Sequence, residues 1–397
     1  MNKSNNITEL LKGVEVYWKA LSSVAQYVRG LTYNKKNESN NSIGYKVLRA
    51  NNITLSNNTL NFNDVKIINL DTKVKDTQKL YKNDILISAA SGSREHVGKV
   101  AFITNDIDYY FGGFMGVIRS SNKISPRYLF HILTSEIFQN YLNEMLNSST
   151  INNLSSKIIE GFQIPIPPLH IQTEIVRILD TFTALTAELT AELTAELTTR
   201  QKQYNYYRNK LLTFKEDEVE WKLISEFASL KRGIRVTRNQ LSQKNGYHVY
   251  QNSLTPLGYY EKANTQENTT FIISAGAAGE IGYSSEKFWA ADDCFYFECS
   301  RNLLNRYLFY VLKNKQEYIS SQVRRSSIPR LPRAIIEKLK IPIPPLKEQA
   351  RIVEILDKFD ALTNSITEGL PREIALRQKQ YEYYRNLLLN FPKMEDK

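Results

Sequence analysis

Downstream of Pro168, apolar residues fall at Ile171, Ile175, Ile178, Leu179, Phe182 and Leu185. Steps of three and four place them on one side of an α-helix. The stripe then enters Thr-Ala-Glu-Leu three times in tandem, Thr186–Leu197, and alanine, leucine and glutamate are strong helix formers. The pattern predicts one helix from about Leu169 to Leu212, roughly 65 Å long at 1.5 Å per residue. A helix of that length with one apolar side needs a second helix against it. A matching stripe over Leu346–Leu389 supplies the partner, with opposite chain direction as the simplest pairing. Gly369 and Pro371 are expected to break this second helix at mid-length. Elsewhere the period changes. Asp84–Ser88 and Thr270–Ser274 are short β-rich runs, each ending in a turn of small residues, Ala89-Ala90-Ser91-Gly92-Ser93 and Ala275-Gly276-Ala277-Ala278-Gly279. Asn122–Leu146 and Leu303–Val323 read as helices, with apolar faces at Tyr128, Leu129, Ile132, Leu133 and at Tyr307, Leu308, Tyr310, Val311. The Ile-Pro-Ile-Pro-Pro strings cannot lie inside a helix, so they read as extended connectors that end where a helix begins.

The two stripes belong to a longer duplication. Ser149–Phe214 aligns without a gap on Ser326–Phe391 at an offset of 177, with about 37 identities. Trp18-Lys19 and Arg29-Gly30 match Trp221-Lys222 and Arg232-Gly233 at an offset of 203, so the first copy carries 26 more residues in its variable part. The order is variable globe, similar helix, variable globe, similar helix. It predicts an α+β protein: two α/β-mixed globes separated by two long antiparallel helices, with an internal pseudo-twofold repeat. The expected boundaries are 1–167, 168–215, 216–344 and 345–397. Globes that differ on connectors that match suggest one task performed on two targets.

Composition narrows the task. The 397 residues carry 42 % hydrophobic and 23 % charged side chains and a net charge of +11, which fits a globular chain with an anionic partner, nucleic acid first. No apolar run is long enough to span a membrane. The two cysteines, Cys294 and Cys299, are too few for a zinc site or a disulfide framework, and a reducing cytoplasmic setting is expected.

Catalytic patterns are missing. An adenine methyltransferase needs Asn or Asp before Pro-Pro-aromatic, whereas Pro167-Pro168 and Pro344-Pro345 sit between isoleucine and leucine. Gly92–Lys99 is one residue too long for a phosphate loop and continues into Val100. Asp292, Asp293 and Glu298 lack the lysine of a nuclease cluster, and His96, His131, His170 and His248 are scattered. His131, among apolar residues, reads as a packed or surface side chain. What remains is binding chemistry. The second globe offers Lys231, Arg232, Arg235, Arg238, Arg324, Arg325, Arg330 and Arg333; the first offers Arg29, Lys35, Lys36, Arg94, His96 and Lys99. Arginine makes bidentate contacts to guanine edges and phosphates. A solvated charged surface is the plain alternative. Tyr109-Tyr110-Phe111 and Phe295-Tyr296-Phe297 read as core before base-stacking platforms. Tyr204, Tyr207, Arg208, Tyr381, Tyr384 and Arg385, in the repeated Arg-Gln-Lys-Gln-Tyr-x-Tyr-Tyr-Arg-Asn ends, read as packing residues or a partner surface.

The globe–helix alternation, both Ile-Pro-Ile-Pro-Pro-Leu connectors with Gln172 and Gln349, the repeated helix ends and the Thr-Ala-Glu-Leu string together resemble the DNA-specificity subunit of type I restriction–modification enzymes. The resemblance covers essentially the whole chain. It implies two target-recognition domains, each reading half of a split, asymmetric site on double-stranded DNA. It implies a non-catalytic subunit with no cofactor of its own. Two methylation subunits carry S-adenosylmethionine, and restriction/translocase subunits bring ATP and magnesium. It also makes Thr186, Leu189, Thr190, Leu193, Thr194 and Leu197 spacer positions. The chain departs from it near Gly369 and Pro371, where no Thr-Ala-Glu-Leu unit stands. Two other readings stay open at this point: a self-sufficient methyltransferase or nuclease, and a coiled-coil scaffold that binds only protein.

Overall fold

The computed structural model describes residues 9–39, 43–147, 153–215, 217–325, 327–364 and 369–392. The chain forms two compact units, Met1–Thr190 with Ala375–Lys397, and Ala191–Ile374. Each unit contains one globe and a part of both helical stretches.

In the first unit a four-stranded antiparallel sheet runs in the order Ala25–Arg29, Met115–Ser120, Ile85–Ser88, Val100–Phe102. Every residue of Ile85–Ser88 is buried, because the sheet is covered on both faces. Ile85 and Ile87 join one apolar cluster and Leu86 another, following the two-residue period of a strand. The predicted helix over Asn122–Leu146 is two helices, Pro126–Leu133 and Glu136–Asn147. They part at Thr134 and Ser135, whose hydroxyls donate back to the carbonyls of His131 and Ile132, a local competition with the helix ladder. Likewise the stretch Leu303–Val323 divides into Asn305–Asn314 and Gln316–Ser321.

The second unit repeats the plan. Its sheet order is Ala228–Arg232, Cys294–Cys299, Thr269–Ile273, Ile281–Ser284. Phe295 and Phe297 are buried in one cluster and Phe271 and Ile273 in another. The Ile-Pro-Ile-Pro strings are strands: Gln163–Ile166 pairs with Tyr17–Ala20, and Lys340–Ile343 pairs with Glu220–Leu223. Pro165 stands opposite Trp18 and Pro342 opposite Trp221, so the repeated Trp-Lys pairs are the other half of the connector. Two-stranded pieces are all edge, where proline is tolerated.

The helix Leu169–Leu212 is continuous for 44 residues. Its start is fixed by glutamine. Gln172, fully buried, donates to the carbonyl of Pro167 and accepts from the amide of Ser125. Gln349 does the same with Pro344 and Leu304. The second stretch comprises Leu346–Asn364 and Gly369–Leu389. Pro371 lies in the first turn of the latter, where the missing donor costs nothing, and residues 365–368 lie outside the described set.

Within the first unit the two helices run antiparallel: Thr183 donates to the Tyr381 hydroxyl at 3.1 Å and Phe182 stacks on Tyr384. Leu388, Leu389 and Phe391 reach the core of the first globe, and the Trp18 indole donates to the carbonyl of Pro392. Within the second unit Tyr204 and Tyr207 pack on Phe359, and Leu212 enters that core. No helix among the described residues is long and apolar enough to cross a membrane.

Candidate nucleic-acid interface

Register places one end of each four-stranded sheet at the service of its loops. In the second unit Arg232 ends one strand, Cys294 begins the next, and Ile273 and Ile281 flank the small-residue turn. Gly233 follows Arg232. A Cβ there would lie 2.0 Å from the carbonyl oxygen of Ala291, so only glycine lets this strand leave the sheet. Gly30 in the first unit meets the carbonyl of Gly112 in the same way, at 2.1 Å. The duplicated Arg-Gly pair is therefore a close-approach site that delivers an arginine to the sheet end.

Beyond Gly233, Arg235 and Arg238 line a cleft of about 290 Å³ with Gln251, Asn252 and Leu257. The Asn252 carbonyl accepts from the amide of Ala277, and the Gly276 amide donates to the carbonyl of Pro329. Ala275 bridges to Arg330, which pairs through its backbone with Arg324. Two basic clusters separated by some ninety residues are thereby joined through one glycine-bearing turn. Arg235, Arg238, Arg324, Arg325 and Arg330 are all exposed. Others of the candidates have structural work. Arg232 donates to the carbonyl of Asp292, and Lys231 pairs with Glu298 at 3.5 Å. Arg333 donates to Glu337 and to the carbonyl of Leu230.

In the first unit Arg29 ends its strand beside Gly116, and the Ala89–Lys99 segment links two neighbouring strands at the same sheet end. It carries Arg94 and His96 in a short 3-10 turn. After Gly98 and Lys99 the chain enters the strand Val100–Phe102, whereas a phosphate loop opens a helix. Lys35 and Lys36 lie on another turn, capped by Asn34, next to the small sheet formed with Lys66–Ile68. Phe114 and the amides Gln251 and Asn252 escaped the sequence reading. Phe114 is 74 % exposed; its only sequence signal is the Gly112-Gly113 turn before it.

Of the helix-end residues, Tyr204 is buried, with the Arg208 guanidinium 5.3 Å above its ring. Tyr384 and Tyr381 are held by Phe182 and Thr183, and Arg385 lies over Tyr381. The aromatic side chains left most exposed there are Tyr206, Tyr207 and Tyr383. Each globe is clamped to its helix by a charged contact. Arg127 and His131 both meet Asp180, and Arg306 and Tyr310 both meet Asp357. His131 is buried, and burial lowers its pKa while the Asp180 contact opposes the shift. Asp292, Asp293 and Glu298 form no metal-binding group; among the described residues there is none.

Residues 14–199 and 216–376 match the type I restriction modification DNA specificity domain. The chain belongs to that family. The chain is 35 % identical over 421 aligned positions to a putative type I restriction enzyme specificity subunit of Haemophilus influenzae, covering 98 % of this chain and 99 % of the relative. It is 39 % identical over 275 positions to the EcoR124I/EcoR124II specificity subunit of Escherichia coli, covering 62 % of this chain and 66 % of that one. A solved structure concerned with complex assembly and conformational transition of the type I restriction–modification system shares the fold. Its TM-score is 0.69 at 14 % identity, covering 94 % of this chain and 97 % of the other. The crystal structure of an S subunit from M. genitalium matches with a TM-score of 0.52 at 16 % identity, over 96 % and 98 % of the two chains.

Proposed function

We propose that this chain is the non-catalytic DNA-reading subunit of a type I restriction–modification complex. One observation carries the reading: two globes of one topology, on duplicated helices, present different side chains at the same sheet end. A single-target binder has no use for that arrangement. Each globe reads one half of a bipartite site, with arginines taking phosphates and guanine edges and the cleft amides Gln251 and Asn252 taking adenine edges. The net charge of +11 supplies the salt-dependent part of the affinity. Two methylation subunits bind the helical frame and carry S-adenosylmethionine; restriction/translocase subunits with ATP and magnesium join them. The Thr-Ala-Glu-Leu units set the spacing between the half-sites.

The test is binding by the chain assembled with its methylation subunits, on DNA carrying the site methylated in cells and on the same DNA scrambled. Preference for the site by about 10³-fold or more is expected, lost when either half alone is scrambled. Equal affinity for both duplexes would leave only a charged scaffold. Methyl transfer by the purified chain alone would establish instead a self-sufficient enzyme.

A further inference from the structure

Phe114 has the highest exposure among the large apolar side chains of the described residues, and its backbone is fixed. It is 74 % exposed, at the end of a Gly112-Gly113-Phe114 turn. The turn is not loose. The amides of Ala89 and Ala90 both donate to the Phe114 carbonyl, the Met115 amide closes the turn onto Gly112, and the Gly112 amide is held by the carbonyl of Leu48. Gly113 lies against the Leu31 carbonyl and Thr32. The ring is thus presented from a fixed backbone. Arg29 ends the neighbouring strand, and the Ala89–Lys99 segment with Arg94 starts from the very amides that hold Phe114.

The second globe is different at this place. There the amide of Ser274 donates to the carbonyl of Asp293, as that of Ala89 does to Phe114. The matched side chain is therefore a carboxylate. An exposed apolar ring at a sheet end whose adjoining strand and segment carry Arg29 and Arg94 suits a ligand that is anionic outside and has an apolar feature within. Duplex DNA fits, and in its major groove the apolar feature on a base edge is the C5-methyl of thymine. A protein partner drawn to this basic rim would be expected to be acidic and is the competing occupant.

We infer that Phe114 is a specificity-determining residue of the first globe, whose ring lies against a thymine methyl in the first half-site. The inference rests on the DNA-reading function proposed above. The test uses the full complex with methylation subunits, carrying the wild-type chain, Phe114→Ala or Phe114→Leu. Methylation is measured on duplexes varied one base pair at a time and on duplexes with uracil in place of thymine. The wild-type complex should prefer thymine to uracil at one position of the first half-site. Phe114→Ala should lose roughly 10-fold of discrimination at that position and none in the second half-site. Phe114→Leu, still apolar, should keep most of it. Unchanged first-half preferences in Phe114→Ala, indifference to uracil, or failure of that variant to bind methylation subunits each overturns the inference. A wild-type complex that does not distinguish site from scrambled DNA overturns the DNA-reading function itself, whatever Phe114 does.

Discussion

Leu388 and Leu389 are fully buried in the core of the first globe, although they stand near the far end of the chain. Replacing Leu388 with alanine should therefore unfold the first globe more readily and leave the second alone. A fully buried leucine cut to alanine costs 2–5 kcal/mol, depending on how far the cavity collapses. Leu388 shares its core cluster with sheet residues and with Ile171, Ile175 and Leu179 of the facing helix, a dense surrounding that limits collapse, so about 3 kcal/mol is a reasonable centre. That corresponds to a fall of roughly 100-fold in protection against hydrogen exchange in the elements that open with the globe. For a unit of this size the melting temperature should drop by about 6–12 °C. The assay is exchange read by mass spectrometry on peptides spanning Ile85–Ser88 and Thr269–Ile273. Leu212→Ala is the mirror experiment, since Leu212 enters the second core. Equal loss in both sheets, or loss in the second alone, would refute the assignment of the C-terminal residues to the first globe.

Three further outcomes are expected. His131 is buried, its Nδ1 has no partner among the described residues, and it faces Asp180, Arg127 and Arg385; its pKa lies below the ordinary 6.5, so the unfolded chain binds the proton first. Stability of the first unit should then be full above about pH 6.5 and decline as pH falls below it; His131→Tyr, the residue found at the matched position 310, should flatten that decline in pH-dependent melts. Replacing Arg324 and Arg325 with alanine should weaken binding by the assembled complex: phosphate contacts lower affinity for all sequences and reduce the salt slope, and base contacts relax the second half-site only. Unchanged affinity and salt slope would remove this pair from the interface. Deleting Thr194–Leu197 removes about 6 Å of helix and a net winding of roughly 40°, close to the 34–36° of one base-pair step. The unread spacer should shorten by about one base pair with both half-sites kept, and an active complex with its spacer unchanged would show the units to be plain helix.

Much of this was legible in the sequence because periodic apolar residues report faces directly. The long helix and the strand runs near Ile85 and Phe271 are of this kind, and an ungapped repeat exposes the duplication at once. The pairing of Trp18 with Pro165 was not legible, since strand partners distant in sequence leave no local signal. Nor was the break at Thr134 and Ser135, where two hydroxyls turn back on the helix within an otherwise regular stripe. Phe114 was hidden for a different reason: the sequence does not say which apolar residue remains uncovered. Basic residues were found as clusters, but only the Ala275–Gly276 turn shows that the segments carrying Arg235 and Arg330 are joined through backbone bonds.

The central claim is that each globe reads its own half of the DNA site on a frame that does not read. Exchanging residues 1–148 for the matching segment of a relative, and mapping methylated adenines across the genome of cells carrying the hybrid, tests it most directly. The account predicts one new half-site, the other half-site unchanged, and the same spacer. A hybrid that is active with both halves altered, or with neither, would contradict it.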